Sequence, residues 1–177
     1  MLLTIVRHAP PLTDGRLAGR RDVSADIGDS QMIARVRARL RRDAQIIASP
    51  AQRCLQTAAA LGLTPTQTHR DLWEQDYGAW EGLRYADLPD LGALPMSELA
   101  RHRPDGGESF QDMAARVQPI LQRLDRDSVI IAHAGTARAA LAMVVGTAAL
   151  SFAIAPLSLT ILRRAGSDWS VEAVNLT

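Results

Sequence analysis

An α/β fold of three layers, helices on both faces of a mostly parallel sheet with an antiparallel edge, is predicted for this chain by three observations. Short apolar runs alternate with stretches of helical periodicity, and two of those runs stop directly at a histidine. The chain then closes on two strand-forming runs joined by Gly166-Ser167-Asp168, a hairpin signal. With 177 residues, 47% hydrophobic and 22% charged, the composition fits one domain, 1–177, able to bury its own core. No linker, internal repeat or low-complexity tract interrupts it.

The elements follow in order. Leu2 to Val6 is a strand that delivers Arg7-His8, and Pro10-Pro11 with Asp14-Gly15 begins a loop. Met32, Ile33, Val36 and Leu40 share one helical face, which leaves Arg35, Arg39 and Arg42 to solvent. Gln45 to Ala48 is a second strand, and Ser49-Pro50 reads as a cap and first-turn proline for a helix from Ala51 to Leu61. Thr64 to Thr68 is expected as a third strand, and Asp71 to Leu91 as irregular. Ser109 and Asp112 form a capping-box pattern ahead of a helix through Phe110, Met113, Val117 and Leu121, which Pro119 should kink. Ser128 to Ala132 is a strand ending at His133, and Gly135-Thr136 opens another helix. Leu157 to Arg163 and Trp169 to Val174 make the hairpin.

Several function classes are excluded at this level. A net charge of +1 gives no global attraction to nucleic acid or to anionic membrane, so neither is expected as a partner. Every basic residue is Arg, which removes lysine-dependent chemistry but supplies forked donors suited to phosphate. The single Cys54 forms no disulfide framework and suits a reducing cytoplasm; Ala60 stands where a cysteine phosphatase needs its Arg. No export signal is read at Met1 to Arg7. The apolar run Ala139 to Ala155 falls short of the ~20 residues of a membrane span, and Gly146 reads as a helix stop.

The chemistry gathers at strand ends. Ligands of open α/β sheets bind there, so His8 and His133 are expected to face one crevice, each followed by a small residue, Ala9 or Ala134, that lets a compact anion approach the backbone. Arg7 and Arg53, the latter in the first turn after the second strand, complete a phosphate cradle. An imidazole can attack phosphorus while Arg neighbours spread the charge, and the leaving alkoxide needs a proton from a carboxylic acid, for which Glu74 is the candidate. His69 and His102 are expected at the surface, Trp73, Tyr77 and Trp80 in core or pocket wall, and Glu108 as a brace.

Leu3 to Ala9, the block Ser49-Pro50-Ala51-Gln52-Arg53-Cys54-Leu55-Gln56-Thr57-Ala58, the segment Leu72 to Gly82 ending Trp80-Glu81-Gly82, Pro104 to Ser109 and His133-Ala134-Gly135 stand in one order. In that order they resemble the blocks of the histidine phosphatase, or phosphoglycerate mutase-like, superfamily over nearly the whole chain. The resemblance implies a phosphoglycerate mutase-like sandwich with His8 as nucleophile, Glu74 as proton donor and Arg7, Arg53, His133 and Ala134 around the phosphate. Arg84, Arg101 and Arg103 read as solvated, although the resemblance puts Arg84 and Arg103 in a segment that forms a substrate-reading lid. The sequence departs from the pattern at Ala9 and Ala134, which replace glycines, and at Pro10, Pro11 and Leu12, which replace a polar pair. A chain of this length favours hydrolysis over mutase activity, and the combined blocks look most like the α-ribazole phosphatase branch of cobalamin synthesis. The implied partner is a small phosphate ester, with no cofactor or metal; a homodimer stays open. A broad-specificity phosphatase, a mutase-like enzyme and an inactive phosphate-binding protein are the alternatives.

Overall fold

In a computed structural model covering residues 1–177, the strands are β1 (Leu2–Arg7), β2 (Gln45–Ala48), β3 (Gln67–Thr68), β4 (Ser128–Ala132), β5 (Leu159–Ala165) and β6 (Asp168–Leu176). The helices are α1 (Ser30–Arg39), α2 (Gln52–Ala60), α3 (Met96–Leu99), α4 (Phe110–Gln122) and α5 (Ala134–Val145). One sheet holds all six strands in the order β3-β2-β4-β1-β5-β6. The pairs β3/β2, β2/β4 and β4/β1 are parallel, whereas β1/β5 and the β5/β6 hairpin are antiparallel, which is the mixed sheet the sequence predicts.

Strand pleating splits the core in two. On one face Leu3, Ile5, Ile130 and Ala132 meet Met113, Val117 and Leu121 of α4 and Ala137, Ala140 and Leu141 of α5. On the other, Val6, Val129 and Ile131 meet Val36 of α1 and Cys54, Ala58 and Leu61 of α2. Each central strand is therefore apolar at successive positions, as expected for a sheet covered on both sides.

Local signals account for most boundaries. Asp29 caps α1 by accepting the Met32 N–H, and Ser109 with Asp112 forms the reciprocal box at the start of α4. α4 runs through Pro119 and closes after Gln122, the missing Pro119 N–H leaving one helical bond unmade. β3 is shorter than expected: Thr66 still bonds to Ile46 through its N–H and hydroxyl, but only Gln67 and Thr68 pair as strand. Ser49 is not the cap of α2, a role taken by Ala51 without a side-chain bond. α5 starts one residue earlier than read, at Ala134, with His133 as its cap residue. Residues 134–151 form a helical stretch long and apolar enough to cross a membrane, with mean hydropathy 1.3. Gly146 breaks it at φ +59°, and the inner face of α5 is packed in the core.

Candidate active site

Register brings the two histidines together. Arg7 pairs with Ala132 at the ends of β1 and β4, so the next residues, His8 and His133, lie side by side; their rings meet edge to face at 5.2 Å. The His8 N–H is bonded to the Ala132 carbonyl at 2.9 Å, which fixes where the strand gives way to the site.

The His8 ring is held at both nitrogens. Nδ1 donates to the Ala9 carbonyl at 2.7 Å, which leaves Nε2 as the acceptor, and the Arg53 Nε–H points at that nitrogen at 3.3 Å. Ala9 is itself pinned, its N–H donating to Thr57 Oγ1 at 2.9 Å. Burial drives the His8 pKa down to about 3, against the pull of the Ala9 carbonyl, and the Arg53 and Arg7 charges add to the fall. The imidazole is therefore neutral at physiological pH, and the Nε2 lone pair that accepts the Arg53 Nε–H is the electron pair an attack would use once that contact gives way to the electrophile.

A cavity of about 310 Å³ opens over this ring. Its wall includes Arg7, His8, Glu74, Gln75, Tyr77, Tyr85, Ala134, Gly135 and Arg138. Arg7 donates to the Ile154 carbonyl, while its Nε is buried without a protein partner. Arg138 donates through Nε and Nη2 to the Phe152 carbonyl at 3.2 and 3.1 Å. Ala134 and Gly135 open α5, whose first amides and positive dipole end face the cavity. Glu74 faces them: Oε1 accepts the Gln75 N–H at 3.0 Å and Oε2 the Gly135 N–H at 3.3 Å.

The Glu74 segment is clamped from behind. Arg116 of α4 donates to the carbonyls of Asp71, Trp73 and Glu74 and makes a forked pair with Glu108 at 2.8 and 2.7 Å. Glu108 also accepts the Asp76 N–H at 3.0 Å. Burial works to raise the Glu108 pKa, but the Arg116 fork and the Asp76 amide outweigh it and hold the carboxyl below its ordinary value. The bracing role expected for Glu108 is met, with Arg116 as a partner that nothing in the linear sequence singles out.

Four expected site residues lie elsewhere than the cavity wall. Arg53 is 1% exposed and lies against His8 Nε2, its Nη1 and Nη2 donated to the Arg21 and Gly19 carbonyls at 3.0 and 2.8 Å. Its guanidinium also stacks over Trp73 at 5.8 Å. His133 is fully buried, with Nε2 sharing a 2.9 Å hydrogen bond with Ser49 Oγ and the Cys54 sulfur close to both nitrogens. Burial pushes its pKa well below the ordinary value. Arg103 is exposed and paired with Asp112 at 2.7 Å, and Arg84 is exposed outside the cavity, as expected for solvated arginines.

Other residues sort as follows. Ala9 packs its methyl into the core beside Val6 and Ala25, away from the cavity, whereas Ala134 is on the wall. Tyr77 lines the cavity, and burial raises its phenol pKa. His102, expected at the surface, is half-buried and stacked on Trp80 at 5.3 Å. Arg138 is the functional candidate that sequence reasoning missed. The available signal was its place one helical turn and a residue after His133, on the face of α5 that looks back to the strand ends.

A buried neutral imidazole at a strand end, a facing carboxylate, two wall arginines and a helix N-terminus define a site of the phosphoryl-transfer class. The chain belongs to the histidine phosphatase superfamily (branch 1), whose pattern it matches over residues 3–177. It is 31% identical over 168 residues to glucosyl-3-phosphoglycerate phosphatase of Mycolicibacterium vanbaalenii, covering 81% of this chain and 74% of that protein. It is also 31% identical over 114 residues to human 6-phosphofructo-2-kinase/fructose-2,6-bisphosphatase 4, covering 61% of this chain but only 24% of that longer protein, so it spans about a quarter of such relatives. Among solved structures, a Thermus thermophilus protein superimposes with TM-score 0.81 at 26% identity over 100% of both chains. Mycobacterial glucosyl-3-phosphoglycerate phosphatase does so with TM-score 0.81 at 27% identity over 99% of each.

Proposed function

We propose that the protein hydrolyses phosphate monoesters of small metabolites through a phosphohistidine on His8. The observation that carries this reading is the state of that ring: buried, neutral, with Nδ1–H tied to the Ala9 carbonyl and Nε2 left as the attacking atom. In the first step Nε2 bonds to phosphorus as the ester P–O bond breaks, and Glu74 passes a proton to the leaving alkoxide. In the second, the Glu74 carboxylate takes a proton from water as it attacks phosphorus, and the P–N bond electrons return to Nε2. Arg7 on the cavity wall and the positive end of the α5 dipole favour the phosphoryl oxygens, with Arg53 against Nε2 and His133 packed edge to face on the His8 ring.

Two substrate readings part on Arg138. The sequence blocks point to α-ribazole 5′-phosphate, which carries no anionic group beyond its phosphate. A second guanidinium on the wall favours an ester with a further anion, as in the phosphoglycerate and fructose bisphosphate substrates that the relatives' names contain. The buried, free Cys54 thiol suits a reducing, cytoplasmic setting.

The test is phosphate release from α-ribazole 5′-phosphate, glucosyl-3-phosphoglycerate, 3-phosphoglycerate, fructose 2,6-bisphosphate and an aryl phosphate, with wild type and His8→Ala. Turnover that His8→Ala abolishes is expected. A preference for doubly anionic esters that Arg138→Ala erases selects that reading, and a preference for α-ribazole 5′-phosphate selects the other. Phosphate binding with no turnover of any ester would replace the proposal with a binding protein.

A further inference from the structure

We propose that Glu81, which lies outside the cavity, is a positioning residue for the nucleophile, acting through Arg53. Its carboxylate collects four backbone N–H groups. Oε1 accepts from Arg20 at 2.7 Å and Tyr77 at 3.2 Å, and Oε2 from Gly19 at 3.1 Å and Arg21 at 3.3 Å. Three of these donors are consecutive, so one side chain fixes the path of residues 19–21. The carbonyls of that same loop then orient Arg53: Gly19 O accepts Nη2 at 2.8 Å and Arg21 O accepts Nη1 at 3.0 Å. With one N–H of each Nη held by a carbonyl, the guanidinium plane is set so that Nε–H is directed at His8 Nε2 at 3.3 Å.

The chain of contacts is continuous and polar: Glu81 to the loop, the loop to Arg53, Arg53 to the attacking nitrogen. Glu81 has no place on the cavity wall, so it makes no direct contact with a bound substrate. What it releases is the loop. A freed Gly19–Arg21 segment lets the Arg53 guanidinium rotate, and the His8 ring loses the group that fixes it on the side opposite Ala9. Charge-assisted bonds from an anion to backbone N–H groups are the stronger kind, and a neutral amide in the same place meets those N–H donors with its own NH₂.

This inference rests on His8 being the nucleophile, so the experiment follows the phosphohistidine itself. Rapid-quench single-turnover labelling with an aryl phosphate is run on wild type, Glu81→Gln, Glu81→Asp, Arg53→Ala and the Glu81→Gln/Arg53→Ala pair, each checked for folding by circular dichroism and thermal melting. Glu81→Gln is expected to slow His8 phosphorylation by about tenfold, the scale of one charge-assisted hydrogen bond, with KM within about threefold of wild type. Glu81→Asp keeps the charge and recovers part of the rate. In the Arg53→Ala background the Glu81→Gln change has little further effect, because both act through one group. Wild-type labelling rates in folded Glu81→Gln, or effects that multiply in the pair, overturn the positioning role alone. Should Glu81→Gln fail to fold, Glu81→Asp carries the same comparison. No acid-labile label on His8 of the wild type removes the nucleophile reading and the inference together.

Discussion

At the scale of single residues, environment decides role. His8 and His133 are the same side chain at the same place on neighbouring strands, yet only His8 reaches the cavity wall. The difference lies in partners: the Ala9 carbonyl takes Nδ1 of His8, whereas Ser49 takes Nε2 of His133 and turns that ring into the interior. The proposed mechanism gives the leaving-group proton to Glu74. Glu74→Gln should therefore slow hydrolysis of an alkyl phosphate by about 10²–10⁴. The loss should be much smaller with p-nitrophenyl phosphate, whose leaving group needs no proton. Comparing kcat/KM, which reports only the steps up to phosphorylation of His8, for the two esters checks this, and equal losses on both would assign Glu74 a role in binding or packing instead.

At the scale of elements, the site is a junction of four segments held by polar braces. The start of α5 approaches the Glu74 segment so closely that a Cβ on Gly135 would land on Glu74 Oε1 and on Met113 Sδ. The carboxylate is the movable party, so Gly135→Ala should displace it and lower kcat at least about tenfold while the sheet and helices stay folded. Steady-state kinetics alongside a thermal melt tests this; wild-type kcat in a folded Gly135→Ala would mean that Glu74 is not held where its chemistry needs it. The same reasoning explains why Glu108 and Arg116 matter without touching the cavity. Arg116 ties three carbonyls of the 71–74 segment to α4, so its loss frees the whole segment rather than one contact.

Over the whole molecule, two buried imidazoles couple the site to stability. Burial lowers both pKa values, His8 to about 3. Below the ordinary value of about 6.5 the unfolded chain takes up protons that the folded chain refuses. The folded state is therefore fully stabilised above about pH 6.5 and loses stability as the pH falls from there toward 3, by up to about 1.4 kcal/mol per pH unit for each histidine. Urea unfolding between pH 5 and 7.5 should show this decline, and His8→Asn should shallow it. A flat profile across that range would contradict the burial of neutral rings. Because the site residues are also core residues, the protein carries its catalytic geometry at some cost in acid tolerance.

Read alone, the chain already settles the order of the elements, the mixed sheet with its closing hairpin, and the placing of a histidine at each of two strand ends. These are legible because they rest on local physics: alternating apolar runs, helical periodicity, the Ser109 and Asp112 box, and turn residues at fixed offsets. Which polar side chains face the cavity is settled only by packing. Arg53 and His133 stand at the expected strand and helix ends but are buried against His8, Ser49 bonds His133 as well as the Ala51 N–H, and Arg103 pairs with Asp112 at the surface. Arg138 reaches the wall in place of the expected lid arginines. The physical reason is that a long polar side chain on Arg, Glu or His chooses among several donors and acceptors at similar cost. That choice is made by groups tens of residues away, such as Gly19 for Arg53 and Glu74 for Gly135, which come within reach only when the sheet and its helices have packed.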